Sequence, residues 1–217
     1  YLSLSVVAGA TSKVGIGPTV TNALTRHPAV AASAIATLNE MSGGRAYFGI
    51  GSGDSAILNL GLRPARLKEM QEYIEAMRAI LSGQSYEYKG REIHVKWSEN
   101  PVPIIMSAEG PKTLALAGGI ADSVIVHSGL SKEVLVETIG KIREGERAAG
   151  RPEGSAKVWA FAKCNVADRR EDAIDEIKMA LAASGHHAFR FTLEDKNVPE
   201  HLQEAIMALQ GEYVPSE

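Results

Sequence analysis

Residues 45–54 read RAYFGIGSGD, an apolar run followed by glycines at 49, 51 and 53 and an aspartate at 54. The run 45–50 (RAYFGI) predicts a strand bounded by glycines. The turn after it leaves the strand's C-terminal end, where parallel α/β folds place their ligand sites, and glycine there lets backbone approach a ligand closely. Three readings of the turn stand open. Gly51, Gly53 and Ala56 satisfy the G-x-G-x-x-G/A dinucleotide fingerprint of a Rossmann enzyme. That fingerprint needs a turn opening directly into a long helix, whereas Asn59, Gly61 and Pro64 interrupt any helix here and the next strand follows only after a helix at 65–82. The second reading is a tight turn with a purely structural purpose, and the third is a ligand-facing turn.

The chain on either side alternates strand and helix. Upstream, residues 2–10 (LSLSVVAGA) read as the end of a helix, and a start at Tyr1 inside an element is expected of a fragment. Residues 13–17 (KVGIG) predict a short strand. Pro28 sets the first turn of a helix over 28–41, with Val30, Ala34, Leu38 and Met41 at helical spacing and Gly43 as its stop. Downstream, the helix at 65–82 has an apolar face of Leu67, Met70, Ile74, Met77 and Leu81. Residues 84–97 alternate about Lys89-Gly90 and predict a β-hairpin inserted between regular units. Residues 103–107 and 122–127 predict strands flanking a helix at 111–118, and Ser131 caps a helix ending near 149. Residues 157–167 predict the last clear strand, with Cys164 inside it as a small buried hydrophobe. Asp168 and Glu171 form a capping-box-like start for a helix to 184, with Ile174, Ile177 and Leu181 inward. Residues 189–192 read as a weak strand and 199–209 as a helix.

Strands that are apolar throughout, alternating with helices, imply a parallel sheet covered by helices. The α/β fold expected is a single (β/α)8 TIM-barrel domain over residues 1–217. A complete barrel needs roughly 250 residues, so about three strands are expected to be missing. A five-stranded doubly wound sheet is the alternative.

Composition bounds the partners. The formal net charge is −3, with 23 basic residues interleaved among 26 acidic ones, which argues against nucleic acid as the main partner. The single cysteine builds neither a disulfide framework nor a cysteine metal site. His186-His187 has no third ligand at metal-site spacing and reads as a surface pair, so no metal is expected. No apolar stretch reaches the roughly 20 residues of a membrane helix, and no signal peptide is visible. A cytoplasmic protein with no membrane partner is expected.

Several segments together carry a family resemblance. They are Thr21-Asn22; Thr25-Arg26-His27-Pro28-Ala29-Val30; Ala34-Ile35-Ala36-Thr37-Leu38; Ser42-Gly43-Gly44-Arg45; and Gly49-Ile50-Gly51-Ser52-Gly53-Asp54. The run from Ser107 to Gly118, SAEGPKTLALAG, followed by Ala121-Asp122-Ser123-Val124-Ile125, extends the match to about residues 1–165. In this order they resemble the luciferase-like oxidoreductases, nearest the branch of methylene-tetrahydromethanopterin reductase and F420-dependent dehydrogenases.

The resemblance implies a barrel with a deazaflavin (coenzyme F420) or FMN across its C-terminal strand ends. It further implies hydride transfer to or from a small-molecule substrate, monooxygenation if the cofactor is FMN, and a homo-oligomer. By the resemblance the missing strands are the first two and the last, and because the family's residues from the first two have no counterpart here, a non-catalytic truncated homologue is the other reading. By position, Pro18, Thr19 and Val20 match the bulge whose non-prolyl cis peptide backs the ring, with Thr19-Val20 as the candidate bond. Ser52, Gly53 and Asp54 match the loop beside the ring and ribityl chain. Ser107, Ala108, Glu109 and Gly110 match a loop whose following helix presents unpaired N–H groups to the phosphate. His127 and Ser128, with Gly129, complete the rim. Asp54 is either a carboxylate that orients substrate or relays a proton, or the N-cap of a turn at 55–58. His127 reads more readily as a satisfied strand-end histidine than as a base. A carboxylate repels a phosphate, so the Glu109 side chain is expected to turn outward.

Overall fold

Parallel strands that follow one another across a sheet in chain order distinguish a barrel arc from a doubly wound sheet, whose order reverses at a switch point. The computed structural model describes residues 1–53, 55–97, 100–189, 193 and 200–212. Its elements are α1 (Leu2–Ala10), β1 (Thr21–Asn22), α2 (Pro28–Met41), β2 (Phe48–Gly51), α3 (Ser55–Leu58), α4 (Leu67–Leu81), β3 (Tyr86–Tyr88) and β4 (Arg91–Ile93). Then come β5 (Ile104–Ser107), α5 (Pro111–Ile120), β6 (Ser123–Val126), α6 (Lys132–Ala148), β7 (Lys157–Ala160), α7 (Arg170–Phe189) and α8 (Glu200–Glu212). The five-stranded sheet runs β1-β2-β5-β6-β7, every pair parallel, with no reversal. Parallel crossovers are right-handed, so an unreversed order keeps the connecting helices on one face. Accordingly α2 packs on α4, α4 on α5 and α5 on α6. The chain forms five strands of a β/α barrel, and the doubly wound and Rossmann readings fall.

The core lies between that sheet and its helices. Phe48, Ile50, Ile104, Met106 and Val124 from the strands meet Ile35, Ile74, Met77, Ala117 and Ile142 from the helices, all at most 1% exposed. The α5–α6 contact depends on two glycines. A Cβ at Gly118 would stand 2.0 Å from the Ile142 carbonyl oxygen, and one at Gly145 would stand 1.8 Å from that of Ala115. The most deeply buried carboxylate is satisfied. Glu146, fully buried at 0% exposure, accepts from the N–H groups of Gly154 and Ala156 and from Arg143. Burial pushes its carboxyl up, but those three donors outweigh burial and leave it below the usual carboxylate range. Arg45 ties α1 to the start of β2 by donating to carbonyls of Ala8, Thr11, Val14 and Ser42.

The hairpin forms as expected. Tyr88 pairs with Arg91 across Lys89 and Gly90, whose φ values of 51 and 75 give the left-handed turn that matches strand twist. Buried Tyr88 stacks edge-on to Tyr73, and Tyr86 donates to Glu75, anchoring the hairpin on α4.

Several expectations need correction. Residues 13–17 make only an isolated bridge, Ile16 with Ala46, and the strand falls at β1 because Gly17 and Gly49 seat the intervening backbone against β2. The last strand stops at Ala160, and Cys164 is exposed because among the described residues β7 pairs only with β6. α7 starts at Arg170, so Arg169 rather than Asp168 holds its N-cap position, and the helix continues to Phe189. Ile174 and Leu181 are exposed rather than inward, since α7 packs chiefly on α8. Phe189 is therefore helical, and the rest of the strand expected at 189–192 lies outside the described residues.

Candidate functional site

Register places the strand ends on one level. Thr21 pairs with Ile50, Ile50 with Met106, Met106 with Val124 and Val124 with Val158. One residue further along, Asn22, Gly51, Ser107 and Ile125 therefore share the C-terminal rim. There Asn22, Gly51 and Ser107 border a cleft of roughly 910 Å³ together with Val20, Ser52, Gly53, Ala108, Glu109, Gly110 and His127.

The floor is built by close backbone approach. A Cβ at Gly49 would lie 2.1 Å from the Pro18 carbonyl oxygen, and one at Gly17 would lie 2.1 Å from that of Tyr47. Only glycine at both places lets residues 17–20 lie flat on β2. The Thr19–Val20 peptide is cis, at the bond singled out by the resemblance. Thr19 hydrogen-bonds the Tyr47 hydroxyl at 2.8 Å and stands beside the cleft, while Val20 exposes 43% of its surface and lines it.

Gly53 has φ +97, and a Cβ there would lie 2.5 Å from Cδ1 of buried Ile57. The glycine requirement in this turn is thus conformational and internal to the chain. Asp54 lies outside the described residues. The Ala65 N–H donates to the Ser52 carbonyl, which brings residues 64–67 and Met70 to the opposite wall. Arg63 grips Glu69 through two 2.8 Å bonds, and the Arg66 N–H adds a third at 2.7 Å. Those bonds, Arg63's first, lower the Glu69 carboxyl to about 2.

On the other side, Ser107, Glu109 and His127 form one chain of contacts. Ser107 Oγ lies 3.3 Å from His127 Nε2, and the opposite ring nitrogen, Nδ1, makes an ion pair with Glu109. The expectation that Glu109 turns outward is overturned, because its side chain is 17% exposed and lies against His127 Nδ1. His127 is the satisfied strand-end histidine expected, with the Phe161 ring edge-on at 6.5 Å. Ser128 is exposed and borders a smaller adjoining cavity with Glu109, Val134 and Lys141 rather than the main cleft. α5 begins at Pro111 with Gly110 as N-cap and no side-chain cap, so its first turn leaves N–H groups for a ligand. Lys112 is exposed and does not border the cleft.

Sequence reasoning missed Asn22, Arg66, Met70 and Thr113, which also line the cleft. Met70 was legible only as core. For Arg66 the signal was a cation directly before a helix that starts beside a glycine-rich loop. Among the described residues no group of three or more histidine, cysteine, aspartate or glutamate side chains could hold a metal, and no helix is long and apolar enough to cross a membrane.

A barrel arc with a large cleft at the C-terminal strand ends defines the ligand-site geometry of the β/α-barrel class. The family model described as luciferase-like monooxygenase matches residues 1–216. The chain belongs to that family. It is 35% identical over 204 residues to the 5,10-methylenetetrahydromethanopterin reductase of Methanopyrus kandleri, covering 82% of this chain and 58% of that protein. It is 37% identical over 164 residues to the F420-dependent glucose-6-phosphate dehydrogenase of Kineococcus radiotolerans, covering 68% and 48% respectively. The solved coenzyme F420-dependent tetrahydromethanopterin reductase of Methanopyrus kandleri superposes with a TM-score of 0.80 at 30% identity, covering 96% of this chain and 67% of that one. The chain thus spans about half the length of the curated relatives it matches.

Proposed function

We propose that this chain is the cofactor cradle of an oxidoreductase that moves a hydride through a bound deazaflavin, coenzyme F420, to or from a small-molecule substrate. One observation carries the reading: β1 and the segments following β2, β5 and β6 converge on a single cleft bordered by glycine, serine and alanine. Small side chains there leave room for a flat tricyclic ring, and exposed Val20 gives its face an apolar bed. When bound, the ring supplies the hydride chemistry, and the protein supplies position and electrostatics.

In this reading Thr19 and Val20 back the ring, and Ser52 and Gly53 lie beside it. Asp54 orients substrate or relays a proton. Ser107, Ala108, Glu109 and Gly110 receive the phosphate at the first turn of α5, and His127 and Ser128 complete the rim. The relatives named as F420-dependent support the deazaflavin. The family's description supports a second reading, an FMN-dependent monooxygenase. The protein acts in the cytoplasm as one domain with a hairpin insertion. Exposed apolar residues on α1 and β7, Leu2, Val6 and Trp159, favour a homo-oligomer.

The test is a fluorescence titration of wild type and Ser107→Asp with FMN, the deazaflavin and riboflavin, which lacks the phosphate. The added carboxylate weakens both phosphorylated cofactors by about tenfold or more, as like charges in one site repel, and leaves riboflavin unchanged. Equal loss for riboflavin, or no loss at all, sinks the phosphate assignment.

A further inference from the structure

Successive residues of β2 turn to opposite faces of the sheet. Phe48 and Ile50 turn to the helices and are wholly buried, so Tyr47, immediately before the strand, and Gly49 and Gly51 turn to the other face. Residues 15–20 lie against that face. A Cβ at Gly17 would stand 2.6 Å from Cδ2 of the Tyr47 ring and one at Gly15 would stand 3.8 Å from Cδ1, so the phenol runs beneath both glycines. Its hydroxyl ends at Thr19, where it shares a 2.8 Å hydrogen bond with Oγ1. The next residue drops into the notch that the strand's glycines leave. A Cβ at Gly49 would stand 3.4 Å from Cγ1 of Val20, and one at Gly51 would stand 3.1 Å from Cγ2. Val20 borders the cleft and Tyr47 does not, so the phenol acts on a ligand through the segment it supports.

We infer that Tyr47 is a positioning residue for the flat ring: its hydroxyl anchors Thr19 and thereby fixes where the Val20 side chain meets the cleft. The inference rests on the reading that Val20 beds the ring. A phenylalanine would fill the same space beneath Gly15 and Gly17, so packing does not call for the hydroxyl, whereas the bond to Thr19 does. Thr19 carries the only polar side chain between Gly17 and Val20, which makes this bond the one side-chain tie the segment can offer the strand. Thr19 is exposed, so water competes for the bond while the cleft is open. A ring laid on Val20 would exclude that water and strengthen the bond, so anchoring and ring binding favour each other.

Tyr47→Phe keeps the packing and removes the bond. The probes are riboflavin, which carries a ring without a phosphate, and FMN, each titrated by fluorescence into the protein carrying this chain. The variant is expected to bind both about fivefold more weakly and in equal measure, the factor that one hydrogen bond contributes. Thr19→Val is expected to lose the same factor, and the double variant no more than either single one, because both remove one bond. Thr19→Ser keeps the hydroxyl and is expected to restore affinity. Carbon-13 spectra of the Val20 methyl groups, recorded without ligand, are expected to shift in Tyr47→Phe and Thr19→Val and to stay in place in Thr19→Ser. Riboflavin affinity unchanged in Tyr47→Phe, additive losses in the double variant, or Val20 signals that do not follow the bond overturns the inference. If the wild type binds neither probe, the methyl shifts still decide whether Tyr47 positions Val20, and that failure counts against the function alone.

Discussion

The middle of the sheet and its β7 edge carry similar apolar sequence and have opposite fates. Phe48 and Ile50 on β2 and Ile104 and Met106 on β5 are wholly buried, because each strand has a neighbour on both sides and a helix layer over one face. Trp159 and Phe161, at and just past the last residues of β7, are 58% and 54% exposed. The apolar run 157–167 states what the segment would bury, and the availability of a partner decides whether it does. Burial belongs to pairs of surfaces, which one strand's sequence does not contain.

The largest effect that probes this contrast is removal of a central ring. Phe48→Ala deletes a fully buried side chain stacked on Tyr73, and the cavity is expected to cost about 4 kcal/mol in a denaturant titration. A loss similar to that of an edge substitution would break the contrast. Next comes Glu146→Ala, which strands the N–H groups of Gly154 and Ala156 and leaves Arg143 without its carboxylate. Breaking such a buried pair is expected to cost about 3 kcal/mol. A fall in protection of those two amides to hydrogen exchange checks the cause.

Acid should act through the same carboxylate. Glu146 and Glu69 sit below the usual 4.5 in the folded chain, Glu69 at about 2. Their stabilisation is therefore fully present above pH 4.5 and lost as pH falls through the folded values. Urea midpoints should decline between about pH 4.5 and 2, and Glu146→Gln should flatten the decline. Glu69 contributes less, because its ion pair with Arg63 is half exposed and screened by water. The smallest effect belongs to the edge: Phe161→Ala is expected to change stability by about 0.5 kcal/mol or less, and a loss near that of Phe48→Ala would show β7 to be packed.

The same contrast explains what could be read from sequence. Turn and cap chemistry is local, so Pro28, Ser131 and Lys89-Gly90 fix their elements correctly. The helix α2 has the expected period in a different phase: Val30 and Met41 are exposed, and Ala31, Ala32, Ile35 and Ala36 face the core. An alanine-rich helix leaves the direction of its stripe to whatever packs on it. Around the cleft, Gly51, Gly53, Ser107 and Gly110 were legible as small residues where strands end and a helix begins, although Gly53 is needed for its backbone conformation. Glu109 was misread because its partner, His127, lies beyond a whole helix in sequence and meets it only across β5 and β6. Arg66 was missed because its place at the cleft depends on a hydrogen bond from Ala65 to Ser52.

The central claim is that the cleft over β1, β2, β5 and β6 holds a deazaflavin ring. The most direct measurement equilibrates the protein carrying this chain with equal amounts of the deazaflavin and FMN. The absorption spectrum of the retained fraction then shows which is bound and whether it exchanges a hydride. The account predicts that the deazaflavin is retained and supports hydride transfer. Tight FMN retention with no deazaflavin binding would contradict the cofactor while leaving the family standing, and retention of neither would contradict the cleft's assigned role.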